Sequence, residues 1–78
     1  MLTTPKKRLD GRIVVVQENR FRLVGETGRG YLFTLHHASG TNIEDLQRWQ
    51  EDDTRLTVEY TGEPNIASGI AHNIAPSG

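Results

Sequence analysis

Seventy-eight residues without a cysteine make one small domain that must fold on apolar burial, with no disulfide or thiolate metal site to staple it. The net charge is −1, and without Lys6, Lys7 and Arg8 the remainder carries six basic against ten acidic residues, so the strong overall basic field of most nucleic-acid binders is excluded. No apolar run approaches the roughly 18 residues of a membrane span, and no apolar signal core follows the basic start, so a cytoplasmic protein without membrane contact is expected.

Residues 1–10 read as a mobile basic arm, with Pro5 and the charge run Lys6-Lys7-Arg8 and no periodicity. Two strands are predicted next, Arg12–Gln17 and Arg20–Val24, because the β-branched Ile13, Val14, Val15 and Val16 disfavour a helix. Only Glu18-Asn19 separate them, and asparagine tolerates the left-handed backbone of a tight hairpin. In the second run Phe21 and Leu23 share one face while Arg20 and Arg22 share the other. The glycines of Gly25-Glu26-Thr27-Gly28-Arg29-Gly30 suit a phosphate cradle in spacing only. A dinucleotide loop leads into a helix, whereas here the strand Tyr31–His36 follows, so a hairpin turn is expected.

The middle of the chain breaks the β pattern. Thr41-Asn42-Ile43-Glu44 fits a capping box with Thr41 as N-cap, and Glu44 to Arg48 is a favourable i,i+4 pair. A helix of two to three turns is therefore predicted over about 42–50. Arg55–Thr61 alternates, with Leu56, Val58 and Tyr60 inward. Ser68–Ile74 makes the last strand, with Ile70, His72 and Ile74 on one side and Gly69 as a bulge. The expected core is Val14, Val16, Phe21, Leu23, Phe33, Leu35, Leu46, Leu56, Val58 and Ile70. The domain should span 11–75, with 76–78 as a tail.

Three strands cannot bury both faces, and one helix covers only part of a sheet. Closure removes the exposed edges, so the fold class is all-β, a small five-stranded antiparallel OB-like barrel with its helix between strands three and four. The runs Gly11-Arg12-Ile13-Val14, Arg20-Phe21-Arg22-Leu23, Leu35-His36-His37-Ala38-Ser39-Gly40 and Thr54-Arg55-Leu56-Thr57-Val58-Glu59 resemble the OB domains of bacterial translation initiation factor one. Val58-Glu59-Tyr60 and Ala71-His72-Asn73-Ile74 are similar to cold-shock domains. The resemblance covers about residues 11–75 and implies the barrel and, more weakly, RNA binding. It departs from the cold-shock pattern at Asn19-Arg20-Phe21-Arg22-Leu23, where arginines replace glycines and a base-stacking aromatic is lost.

Arg20, Arg22, Thr34 and His36 should project from the outer face of paired strands. With Arg29 and the arm residues Lys6, Lys7 and Arg8, they form the candidate contact set for single-stranded nucleic acid, RNA before DNA. The plain alternative is a solvated face guarded by arginines. A metal held by His36, His37 and His72 is not expected, since neighbouring strand residues point to opposite faces. No nucleophile elbow or cofactor motif is present, so the chain is read as a monomeric, non-enzymatic module without cofactors. The second functional class is a protein-interaction module using the barrel surface. Trp49 is an interaction anchor if exposed and a helix-packing residue if not.

Overall fold

The computed structural model describes residues 6–77; the first five residues of the expected arm and Gly78 of the expected tail lie outside them. The elements run β1 (Lys7–Gln17), β2 (Arg20–Gly25), β3 (Gly30–Leu35), α1 (Ile43–Glu51), β4 (Leu56–Gly62) and β5 (Gly69–Pro76). The strands close into a barrel in the order β1-β2-β3-β5-β4, with β4 pairing back to β1. That order is compatible with an OB-like fold. The sheet is mixed rather than wholly antiparallel. After β3 the chain passes through α1 and β4, and β5 returns parallel to β3 over Phe33–Gly69, Thr34–Ile70 and Leu35–Ala71.

β1 begins at Lys7, four residues before the expected start of the domain. Its first half pairs with β4, from Lys7 opposite Tyr60 to Gly11 opposite Leu56, and its second half pairs with β2. Lys7, Arg8, Leu9 and Asp10 therefore belong to the barrel wall and not to an arm. Gly11 stands where the strand passes from one neighbour to the other. A Cβ there would lie 2.4 Å from the Val24 carbonyl oxygen, so no other residue fits without moving backbone. At the other end of the strand Glu18, not Asn19, takes the left-handed conformation in the hairpin, at φ 56°.

Two β-bulges reset the alternation that the sequence implies. Ile13 faces Leu23 but Val15 faces Arg22, so Val14 is an extra residue in β1. Both Val14 and Val15 turn outward, at 44% and 49% exposure, and Ile13 takes the buried place expected of Val14. Gln50 of α1 donates its side-chain amide to the Val14 carbonyl at 2.8 Å, satisfying a group that the bulge exposes. In β5 the partners step from Asn73 opposite Glu59 to Ala71 opposite Tyr60, which leaves His72 unmatched. Ala71 and Ile74 are buried as a result, and Ile70, expected inside, is exposed. The bulge thus lies at His72, not at Gly69. Gly69 serves close packing, since a Cβ would sit 2.9 Å from Pro64 Cβ and 3.2 Å from Phe33 Cδ1.

The helix starts one residue later than Thr41 would place it. Asn42 is the N-cap: its Oδ1 accepts from the Asp45 amide at 2.9 Å, and Asp45 Oδ2 accepts from the Asn42 amide at 3.2 Å. Arg48 pairs with Asp45 at 2.6 Å rather than with Glu44. Leu46 seals the barrel with no exposed surface, and half-buried Trp49 packs against the core. No helix among the described residues is long and apolar enough to cross a membrane.

Inside the barrel, Phe33 stacks on Phe21 with centroids 5.3 Å apart and meets the edge of Tyr60, also at 5.3 Å. Leu23, Leu56 and Val58 fill the space around them, while Val16 is only half-buried. Phe33→Ala should cost about 3–5 kcal/mol in urea unfolding, and Val14→Ala should stay within about 0.5 kcal/mol. If the two costs come out similar, the inward and outward assignment of these strands is wrong.

Candidate nucleic-acid interface

The pairing of β2 with β3 sets the outer face. Arg20 lies opposite Thr34 and Arg22 opposite Leu32, while their inward neighbours Phe21 and Leu23 anchor the strand in the core. Arg20 and Arg22 border a shallow depression of about 410 Å³ floored by Phe21 and Leu32 and rimmed by Val15 and Gln17. A second depression adjoins it between Arg22, Leu32 and the loop at 63–68. That loop is pinned by the Leu32 amide donating to the Pro64 carbonyl at 2.9 Å and by a 2.8 Å hydrogen bond between the Thr34 and Ser68 hydroxyls. Arg22 Nη1 lies 3.7 Å from where a Cβ on Gly30 would stand, so the guanidinium lies along the strand toward the hairpin that carries exposed Arg29. The Gly25–Gly30 segment closes as a turn, with the Gly25 amide bonded to the Arg29 carbonyl at 3.0 Å.

The arginines divide into two groups. Arg8 pairs with Glu59 at 3.1 Å, Arg12 with Asp53 at 3.8 Å and Arg48 with Asp45, while Arg55 meets both Glu26 and Asp10. Arg20, Arg22 and Arg29 have no carboxylate partner among the described residues. The cleft on the other side of β1, lined by Gly11, Arg12, Val24, Glu26, Asp53 and Arg55, is charge-balanced by contrast.

The sequence-derived contact set is only partly brought together. Arg20, Arg22, Thr34 and His36 line up across β2 and the end of β3, although Thr34 and His36 are half-buried. Arg8 is some 30 Å of strand from Gln17, the partner of Arg20, and its charge is held by Glu59. The Glu59 carboxylate accepts from Asn73 and Arg8, which lowers its pKa from the ordinary value. Lys7 lies opposite Tyr60 at that same end of β1. Lys6 is near enough to act on His72.

The sequence places His36 among the nucleic-acid contacts and weighs the three histidines together only as a metal site that is not expected. They form a row instead. His36 follows β3, its amide bonded to the Ala71 carbonyl at 2.9 Å, and the bulge in β5 turns His72 outward beside it. Ring centroids are 4.5 Å apart between His36 and His37 and 4.9 Å between His36 and His72. Among the described residues, no group of three His, Cys, Asp or Glu side chains has metal-holding geometry. Exposed apolar side chains were also missed by sequence reasoning: Ile66, at 83%, lines the depression beside Arg22, and Ile70, at 41%, lies opposite Thr34, one strand beyond Arg20. The bulges, which leave no mark on a run of valines, hid part of this face.

These features define a small closed five-stranded barrel whose outer β2–β3 face is basic and partly apolar. The chain matches no protein-family model, no curated protein and no solved structure.

Burial, the neighbouring His36 and the Lys6 charge, in that order, hold His72 below the ordinary imidazole pKa. The unfolded chain then takes up a proton first as pH falls. Stability from this group is full above about pH 6.5 and is lost as pH drops through the folded-state value. His72→Gln should flatten that part of the pH profile of the urea midpoint. An unchanged slope would mean that His72 is not the responsible group.

Proposed function

We propose that the barrel is a non-enzymatic module that holds single-stranded nucleic acid, RNA before DNA, through its β2–β3 face. The observation that carries this is the grouping of unpaired cations. Arg8, Arg12, Arg48 and Arg55 are paired with carboxylates, whereas Arg20 and Arg22 share the outer face and Arg29 stands in the adjoining hairpin, none of them with such a partner among the described residues. Guanidinium groups held on paired strands have donors to spare for phosphate oxygens. The resemblance to the OB domains of initiation factor one and of cold-shock proteins points the same way.

The physics also limits the strength. Phe21 and Phe33 are buried and cannot stack on bases, and the net charge is −1. Binding therefore rests on a few phosphate contacts, with slight sequence preference. A second reading has an observation of its own. Val15 and Ile66 expose apolar surface next to the same arginines, which suits an acidic protein partner with an apolar edge.

Titration with a short oligouridylate, followed by amide chemical shifts, should perturb Arg20, Arg22 and Gly30. With three phosphates neutralised, a fourfold rise in salt should weaken binding roughly fifteen- to twentyfold. Arg20→Glu with Arg22→Glu should abolish binding and leave the fold intact, because both side chains are exposed. Equal binding by the double variant, or none by the wild type at low salt, would remove the nucleic-acid function and leave the protein-partner reading.

A further inference from the structure

We propose that the stacked imidazoles of His36, His37 and His72 form a base-stacking subsite at the end of the arginine-bearing face, taking one nucleobase of a strand whose phosphates Arg20 and Arg22 hold. This rests on the nucleic-acid function proposed above and assigns to it an aromatic surface that the buried phenylalanines do not supply.

The geometry is that of a stacked pair, His36 on His37, with the ring of His72 tilted against it. His36 is the central ring, lying 25° from parallel with His37 and 32° from His72. His36 Nδ1 accepts the Ala38 amide at 3.1 Å, so the neutral ring carries its proton on Nε2 and its plane is fixed by backbone. His72 Nε2 shares a 2.9 Å hydrogen bond with Thr61 Oγ1, which fixes the second plane. His37 is exposed and ends the row. Burial, the neighbouring His36 and the Lys6 charge favour the neutral form of His72.

Position relates the row to the arginines. Thr34 lies opposite Arg20 and two residues before His36, which puts His36 about 7 Å along the strand from the Arg20 rung. A strand whose phosphates lie on Arg22 and Arg20 thus reaches the imidazoles with its next base. Histidine is one of the side chains on which single-stranded bases stack. Since every base has a π-face, the subsite would accept any of them.

The test uses the isotope-labelled full chain near neutral pH and two oligonucleotides of one backbone and length, oligothymidylate and its abasic counterpart. Oligothymidylate should shift both the Arg20 and Arg22 amides and the imidazole ring protons. The abasic strand should shift the arginines alone and bind about tenfold more weakly, the loss of one stacked base. His37→Ala should weaken oligothymidylate about tenfold without changing abasic binding, and His37→Phe should restore it. Equal affinity for the two strands with silent imidazoles would overturn the subsite and leave the phosphate contacts standing. Absence of binding by both strands at low salt would overturn the nucleic-acid function and the subsite with it.

Discussion

The barrel closes along a rung of only three residue pairs, where β3 and β5 run parallel and Phe33 lies opposite Gly69. At that point the absence of a Cβ lets Pro64 and the Phe33 ring pack directly on the β5 backbone. Everything else leans on this closure. It covers the free edge of β3, which would otherwise present unpaired amides and carbonyls. It also brings the Phe21, Phe33 and Tyr60 rings into one core, which a domain of this size cannot spare. The Pro64 carbonyl extends the seal by one more hydrogen bond, to Leu32.

Two bulges turn this closed sheet into a surface with features. β1 passes from β4 to β2 at Gly11, and the bulge at Val14, inside the half paired with β2, leaves a carbonyl that Gln50 takes up. The bulge at His72 rotates an imidazole out of the ladder and places it beside His36. Both add local twist, which a five-stranded sheet needs in order to close. The same distortions that permit closure therefore expose Val15 and aim His72 at the candidate site.

Charge is arranged on the same plan. Carboxylates accompany the arginines of β1 and α1 and the Arg55 that precedes β4, and α1 itself is net acidic, with Glu44, Asp45 and Glu51 against Arg48. The arginines of β2 and of the following hairpin have no carboxylate partner among the described residues. A chain with a small net negative charge thus keeps one cationic face, and its reach is short because salt screens it within about 8–10 Å.

Strand and helix order were legible in the chain, because alternation in Arg20–Val24 and Arg55–Thr61 and a break near Thr41 are local signals. The outward placing of Arg20 and Arg22 follows from the same alternation, being opposite to Phe21 and Leu23. The choice between Asn42 and Thr41 as N-cap was not legible, since both side chains can accept the bond and only the path of the entering chain selects one. Neither was the burial of Ile13 over Val14, because four β-branched residues in a row carry no period. The parallel pairing of β3 with β5, the neutralising of Arg8 by Glu59 and the meeting of three histidines all join residues far apart in sequence. Only closure of the barrel brings such groups within reach, so tertiary structure alone decided them.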